Sequence, residues 1–155
     1  MEEKKIRQVS DNRKARHNYT IGDQYEAGMV LVGSEVKSIR NGEVNLKDAY
    51  ARFSEKGELY VHQLHISPYK FSYNDNHDPL KKRKLLLKKK ELKKIKNKVN
   101  EKGFSIIPLS LYFKGSKIKL KIGMGRGKNL YDKRHSLKEK DAKMQVHRAN
   151  KFSEY

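Results

Sequence analysis

The stretch LSLYFKGSKIKLKI, residues 109–122, carries the clearest strand pattern in the chain. Leu, Leu and Phe alternate with other residues up to a turn at 114–116, and Ile, Leu and Ile alternate on the way back. A period of two places one apolar face against a core, and a short Gly-containing turn joins antiparallel strands. The stretch therefore predicts a β-hairpin. Its return strand is expected to show solvent a row of cations, namely Lys117, Lys119 and Lys121.

Three more strands are predicted upstream of this hairpin. YTIGDQYEAGMVLV, residues 19–32, is rich in β-branched and aromatic residues and is interrupted by two glycines, which predicts one long, bent strand. Residues 45–53 and 58–66 are predicted to be strands of a second hairpin, joined by the turn SEKG. A short helix is expected at 35–40, where EVKSIR precedes Asn-Gly.

Residues 78–103, DPLKKRKLLLKKKELKKIKNKVNEKG, predict one long basic helix with 12 Lys and Arg. Asp78 is suited to the N-cap and Gly103 to a left-handed C-cap. Leu86 falls outside the apolar stripe of this helix and is therefore expected to be exposed. At about 100° per residue, the members of that stripe are Leu85, Leu92, Ile95 and Val99.

The order of these elements predicts the fold class. Three strands, a helix and two further strands fit a five-stranded oligonucleotide-binding (OB) barrel, so the chain is expected to be mainly β with flanking helices (α+β) and antiparallel. Residues 1–16 are predicted to be a basic N-terminal arm, and residues 17–125 an OB-like barrel with its long basic helix at 79–102. Residues 126–155 are predicted to be a basic tail that is disordered when free and helical when bound.

The charge of the chain is strongly one-sided. The net charge is +19, and residues 79–155 carry 25 Lys and Arg against six Asp and Glu. This asymmetry favours a nucleic-acid partner over a general solubility role. An anionic membrane surface is the competing partner, but no segment approaches the ~18 apolar residues of a membrane span, and no signal peptide is evident. A cytoplasmic protein without a membrane role is expected.

The composition offers little for catalysis, metal binding or cofactors. Zero cysteines exclude disulfides, thiolate zinc sites and cysteine nucleophiles. His62 and His65, three apart on a predicted strand, should face opposite ways and cannot chelate together. GMGRGK departs from the Walker pattern in its glycine spacing and in the residue after Lys. We therefore expect no catalytic residues, no metal and no cofactor.

A series of motifs resembles a known family. NRKARHNY, YEAG, GSEVKSIRNG, NLKDAYA, NHDP, RKLLL, LSLYF and GK.LYDKR occur in this order between about Asn12 and Arg134. The blocks closely resemble the small protein B (SmpB) family, the SsrA-binding proteins of bacterial trans-translation. The resemblance implies an OB-type barrel and a non-enzymatic role in ribosome rescue.

Family membership would imply specific partners. Family members bind the tRNA-like domain of tmRNA and bring it to the vacant A site of a ribosome stalled on a truncated message. Their tail lies in the empty mRNA channel and contacts the decoding centre. The resemblance also implies indirect contact with elongation factor Tu and alanyl-tRNA synthetase through tmRNA, and a monomeric protein.

Three positions match the principal tmRNA contacts of the family: Asn12, Glu26 and Leu86. Asn12 can donate and accept at a base edge, although without the resemblance an ordinary helix or turn cap is the favoured interpretation. A carboxylate such as Glu26 can accept from a base amino group and so adds selectivity where Lys adds only affinity. An exposed Leu86 can pack on an unstacked base, whereas a buried one would only support the fold. The basic residues expected to join this surface are Arg13, Lys14, Arg16, Arg83, Lys84 and Lys89.

The tail carries the ribosome-binding part of the resemblance. Asp132, Lys133 and Arg134 match the family's decoding-centre element, and Tyr131 stands where some members carry His. The complete set predicted for this role is Lys128, Tyr131, Asp132, Lys133, Arg134 and Met144.

Two other functions fit parts of the sequence. A structural ribosomal or general RNA-binding protein with an OB-fold would share the charge and the element order without needing the motifs. An RNA-processing enzyme would need His17 or an acidic pair as its acid or base, and the sequence places no second catalytic group beside either.

Overall fold

The computed structural model describes residues 5–72, 76–101 and 103–127 of the 155-residue chain. The strands are β1 (Ile6–Asp11), β2 (Tyr19–Met29), β3 (Val44–Asn45), β4 (Tyr50–Phe53), β5 (Leu59–His62), β6 (His65–Ile66), β7 (Arg83–Leu86), β8 (Phe104–Lys114) and β9 (Lys117–Gly127). The helices are α1 (Arg13–Asn18), α2 (Gly33–Arg40) and α3 (Lys89–Val99).

Six strands close into an antiparallel barrel. Their order is β8, β4, β5, β7, β2 and β9, and β9 pairs back to β8. The predicted fold class, a mainly β barrel with flanking helices, is confirmed, although the ring holds six strands rather than five. Its core includes Ile39 from α2 and Ile95 from α3, so these two helices pack on the barrel.

The hairpin predicted at 109–122 is confirmed and extended, but Leu109, expected on the core face with Leu111 and Phe113, packs in the outer cluster with Ala15 because a register shift lies between Pro108 and Ser110. Lys114 pairs with Lys117 across the turn, and Leu111 faces Leu120 in the core. The predicted hairpin ends at residue 122, but β9 continues to Gly127 and Met124 is buried. Glycine permits this because a Cβ at Gly123 would lie 2.8 Å from side-chain atoms of both Ile21 and Leu109. The second of two core clusters covers the outer face of the strand there.

The two predicted upstream strands, 45–53 and 58–66, are each divided. Residues 46–49 form a turn between β3 and β4. The second strand is interrupted between β5 and β6 by Gln63, whose φ is 57°. β3 and β6 then pair with each other as a separate two-stranded sheet. The hairpin itself is retained as β4 and β5.

The prediction of one long helix at 79–102 is wrong. Residues 83–86 form strand β7, which pairs with β2 and β5 inside the barrel, and only Lys89–Val99 is helical. Leu85 is buried from this strand, not from a helix stripe. Barrel closure outweighs the weak intrinsic helix preference of Lys and Leu, since propensity amounts to only tenths of a kcal/mol per residue. Asp78 accepts from the backbone of Leu80 at 3.0 Å and so stabilises a turn before β7.

The expected N-terminal arm at 1–16 is also structured where it is described. β1 pairs with β8, and the short helix α1 follows it. Ala15 of α1 packs against Ile107 and Leu109 on the outer side of the barrel. Residues 1–16 show no apolar periodicity because single side chains, Val9 of β1 and Ala15 of α1, make these contacts. The predicted tail at 126–155 lies outside the described residues from 128 onward.

Candidate nucleic-acid interface

The carboxylate of Glu26 lies on an outer face of the barrel beside lysines of β8 and β9. It belongs to β2, directly opposite Lys121 of β9. The Tyr112 hydroxyl donates to its Oε2 at 2.5 Å, and the Lys114 ammonium lies 3.3 Å from its Oε1. Each oxygen therefore has one partner, and a carboxylate retains further acceptor capacity for a ligand.

The surroundings of Glu26 favour its charged form. The hydrogen bond from Tyr112 is the largest cause that lowers the pKa of Glu26, and Lys114 and Lys119 lower it further against the opposing effect of partial burial. Burial and the neighbouring carboxylate raise the pKa of Tyr112 well above its usual range. At neutral pH the pair is thus a tyrosine hydroxyl held by an ionised carboxylate. Such a group can accept from a base amino group.

Leu86 shares this outer face. It pairs with Gly28 in the β2–β7 ladder, two residues along β2 from Glu26. Residues i and i+2 of a strand point to the same face and lie about 6.5–7 Å apart. Because Gly28 has no side chain, Leu86 packs over its backbone, and a Cβ there would lie 3.4 Å from Leu86 Cβ. Leu86 is nevertheless 50% exposed, as predicted, and is therefore available to a ligand.

Lysines of β7 and α3 add positive charge, and they differ in whether a carboxylate already holds them. Lys84 lies on the same face of β7, where its ammonium is 3.3 Å from Glu58 Oε1. Lys89 is exposed at the start of α3. The other exposed lysines of this helix are Lys90, Lys93, Lys94 and Lys96. They provide cations that suit phosphates but carry no sequence information.

Helix α1 adds cations on the outer side of the barrel, where it packs on β2 and β8. Ala15 anchors it above the end of β2 near Tyr19 and Ile21. Arg13 is exposed, Lys14 lies 3.4 Å from Asp48, and Arg16 lies 3.0 Å from Asp11. Exposed ion pairs of this kind are weak and exchange readily for phosphate contacts.

Comparison with known proteins decides the family. A family profile described as "SmpB protein" matches residues 9–152 of the chain. The chain belongs to the SmpB family. This SmpB family chain is 52% identical over 143 residues to the SsrA-binding protein of Listeria monocytogenes serovar 1/2a, covering 92% of each. It is 52% identical over 141 residues to the SsrA-binding protein of Bacillus pumilus, covering 91% of this chain and 90% of that protein.

A solved relative supports the fold of this SmpB family chain. It is described as "tmRNA-SmpB: a journey to the center of the bacterial ribosome" and superposes with a TM-score of 0.66 at 47% identity. The match covers 78% of this chain and 85% of that chain. The family resemblance inferred from the motif blocks is therefore confirmed.

The structure corrects the role expected for Arg83. The outward-facing residues of β7 are Lys84 and Leu86, whereas Arg83 points inward and its side chain is fully buried. Its Nε donates to Glu35, and Nη1 donates to the Leu64 carbonyl at 2.6 Å. Arg83 therefore holds α2 to the barrel and presents no cation to a ligand.

Asn12 is also committed to the fold. Its Oδ1 accepts from the Ala15 backbone N–H at 3.1 Å and caps α1. Its Nδ2 donates to the carbonyls of Leu46 at 3.2 Å and Pro108 at 2.9 Å. With 3% of the residue exposed and both amide hydrogens bonded, the capping interpretation agrees with the structure, and Asn12 has no free edge for a base. Its match to the family motif is better explained by the shape it gives to the loop before α1.

The structure places two of the predicted site residues, Glu26 and Leu86, on one outer face, but sequence reasoning missed the residues that hold Glu26. Tyr112 was detectable in part, since the alternation of LSLYF points it away from Leu111 and Phe113. The contact with Glu26 spans 86 residues of chain and had no local signal. The predicted tail residues Lys128, Tyr131, Asp132, Lys133, Arg134 and Met144 lie outside the described residues.

The described part of the chain offers neither a cluster of metal ligands nor a membrane-spanning helix. No three side chains of His, Asp or Glu within residues 5–72, 76–101 and 103–127 come together as metal ligands. Over the same ranges, none of the helices has the length and apolar character needed to cross a membrane.

Proposed function

We propose that this chain binds the tRNA-like domain of tmRNA and delivers it to ribosomes stalled on truncated messages. The observation that carries the proposal is the shared outer face of Glu26 and Leu86. An ionised acceptor on β2 and an exposed apolar side chain on β7 are diagonal neighbours on adjacent strands, about 7–8 Å apart, beside Lys119 and Lys121 of β9. Both fall in motif blocks that resemble the family's tmRNA contacts.

Each part of this face has its own task in recognition. Glu26 accepts from the amino group of an unpaired base, which gives selectivity because phosphate repels a carboxylate. Leu86 packs on the face of an unstacked base. Lys84, Lys89 and the cations of α1 neutralise phosphates and set the orientation.

The tail has a separate task on the ribosome. Residues 126–155 would lie in the empty mRNA channel, with Tyr131 and the Asp132–Arg134 element at the decoding centre. The family profile extends to residue 152, which supports a family role for this segment. The tail would thereby replace the missing codon–anticodon pairing.

The remaining features of the proposal follow from this role. The chain acts as a binding factor without catalytic residues, metal or cofactor, and works as a monomer in the cytoplasm, where translation occurs. Elongation factor Tu and alanyl-tRNA synthetase contact it only indirectly, through tmRNA.

The test is sequencing of the RNA that co-purifies with the full-length protein at moderate salt. We expect tmRNA to dominate and to be held more tightly than tRNA or ribosomal RNA fragments. Enrichment of ribosomal RNA fragments alone would contradict the proposal and favour a general RNA-binding protein. Truncation after Lys128 provides the second arm: tmRNA binding should persist while tagging on stalled ribosomes is lost. Tagging by the truncated protein would contradict the role of the tail.

A further inference from the structure

The β4–β5 hairpin presents a second aromatic and basic surface, which borders the one around Glu26 where Tyr60 pairs with Lys84. Tyr50 of β4 lies opposite His62 of β5, and Arg52 lies opposite Tyr60. The residues between them, including Ala51 and Val61, are buried in the core. The four paired residues therefore occupy the outer face of the hairpin.

The rings and cations on this face are already arranged in stacks. The Tyr50 and His62 rings are nearly parallel, 11° apart, with centroids 5.2 Å from each other. The Lys82 ammonium lies 4.9 Å from the Tyr60 ring centroid. Arg52 is exposed beside them, and 40% of Tyr50 remains accessible. A platform of rings flanked by cations suits a base with its phosphate.

A purely structural role explains these contacts less well. Cross-strand aromatic pairs do stabilise hairpins. However, the inner face of this hairpin already anchors it through Leu59 and Val61, which are 1% and 0% exposed. Burial, with Lys82 and Arg52 nearby, lowers the pKa of His62. Its ring is consequently uncharged at neutral pH and suited to stacking, so the cations for phosphate are Lys82 and Arg52.

The local charge is consistent with an anionic ligand. Glu58 is occupied by the Tyr60 hydroxyl at 2.7 Å and by Lys84 at 3.3 Å. The exposed cations beside the rings are Arg52 of β4 and Lys82 of the segment before β7.

We propose that the outer face of the β4–β5 hairpin binds unpaired RNA nucleotides, with one base stacked on Tyr50 and His62. A second base stacks on Tyr60, and Arg52 and Lys82 contact the phosphates. The site reads single-strandedness, not sequence, because stacking tolerates every base. It uses other residues than the tmRNA proposal, since its rings and cations lie on β4, β5 and the segment before β7, and the two faces meet where Tyr60 pairs with Lys84.

The experiment measures binding of a fluorescent single-stranded oligoribonucleotide to the full-length protein over a range of salt concentrations. Extrapolation to high salt removes most of the electrostatic contribution of other basic segments and retains stacking. The Tyr50→Ala/His62→Ala double variant should lose about 5- to 150-fold in this extrapolated affinity, as expected for the one base stacked on these two rings. Arg52→Ala and Lys82→Ala should instead each flatten the salt slope by about one unit.

Matched variants keep the test decisive. Tyr50→Phe/His62→Phe retains both rings and should bind as the wild type does. Phe71→Ala removes a 71% exposed ring elsewhere and should have no effect. Unchanged binding by a folded Tyr50→Ala/His62→Ala variant would overturn the proposal.

A direct mapping covers the case in which that double variant fails to fold. Ultraviolet cross-linking of the oligonucleotide to the wild-type protein, followed by mass spectrometry, should modify Tyr50 or Tyr60. Cross-links confined to other residues would overturn the proposal. Equal affinity for a duplex of the same length would do so as well, since paired bases cannot stack on the rings.

Discussion

The Tyr112 hydroxyl donates a 2.5 Å hydrogen bond to Oε2 of Glu26 across 86 residues of chain. The contact joins β8 to β2 over the intervening strand β9. It fixes the direction of a carboxylate that is itself one-third exposed, with 34% of its side chain accessible. A flexible glutamate is thereby oriented before any ligand binds, which reduces the entropy lost on binding.

Tyr112→Phe removes this hydrogen bond and keeps the ring. We expect tmRNA affinity to fall about two- to tenfold, the equivalent of one net hydrogen bond. Glu26→Ala should cost at least as much, since it removes the acceptor as well. The double variant should be no worse than Glu26→Ala alone, because Tyr112 acts through Glu26. Filter binding of the four proteins completes this cycle, and additive losses would show that Tyr112 contacts RNA independently.

The lowered pKa of Glu26 makes a prediction about pH. Because the folded-state pKa lies below the usual value of 4.5, the charged form contributes stability that is fully present above pH 4.5 and lost as the pH falls through the folded pKa. The contribution of Glu26 to RNA binding should therefore be constant from pH 8 to about pH 5. Carboxyl carbon NMR should show Glu26 titrating below the range of exposed glutamates. Tyr112→Phe should move the titration upward, since the hydrogen bond is the largest lowering cause.

Leu85 and Leu86 offer a matched pair of substitutions on opposite faces of β7. Leu85 is 2% exposed and Leu86 is 50% exposed. Leu85→Ala should destabilise the fold by about 2–5 kcal/mol through cavity formation. Leu86→Asn should change stability by less than about 1 kcal/mol and weaken tmRNA binding. Thermal melting and RNA binding separate the two outcomes, and wild-type tmRNA affinity in Leu86→Asn would remove Leu86 from the interface.

Leu86 also shows what the sequence could and could not predict. A helical wheel placed it outside an apolar stripe and so predicted its exposure, but Leu86 lies in a strand and not in the predicted helix. Strand alternation gives the same result, with residues 83 and 85 inward and 84 and 86 outward. Local pattern thus identified the face of Leu86 and the β8–β9 hairpin. It could not identify the partner strands of RKLLL, because pairing with β2 and β5 depends on residues far away in the sequence.

Arg83 marks the limit of charge-based reasoning. In the sequence it is one of 12 cations between residues 78 and 103, and nothing local distinguishes it from Lys84. Its partner Glu35 is 48 residues away in α2. Only the folded structure shows that the Arg83 guanidinium is buried in an ion pair with Glu35.

The Arg83–Glu35 pair leads to a prediction about stability. Arg83→Ala leaves the Glu35 carboxylate buried without its cation, and we expect a loss of about 3–5 kcal/mol. Replacing both partners, as Arg83→Met/Glu35→Gln, should restore much of that loss because no charge remains buried. Chemical denaturation measures both variants. If Arg83→Ala were as stable as the wild type and lost as much tmRNA affinity as replacement of an exposed lysine, the buried role of Arg83 would be wrong.

Asn12 provides the sharpest distinction between a structural and a contacting residue in the family motif. Asn12→Ala removes the cap of α1 and leaves the Leu46 and Pro108 carbonyls without their donor, so we expect a loss of about 2–4 kcal/mol. Asn12→Asp keeps the cap acceptor but directs a carboxylate oxygen at those carbonyls, and should also be destabilising at neutral pH. Arg13→Ala, on the exposed neighbour, should stay within about 0.5 kcal/mol of the wild type and flatten the salt dependence of RNA binding. Thermal melting and tmRNA binding of all three variants distinguish the roles. If Asn12→Ala were as stable as the wild type and yet failed to bind tmRNA, Asn12 would have to leave its buried site and contact the RNA directly.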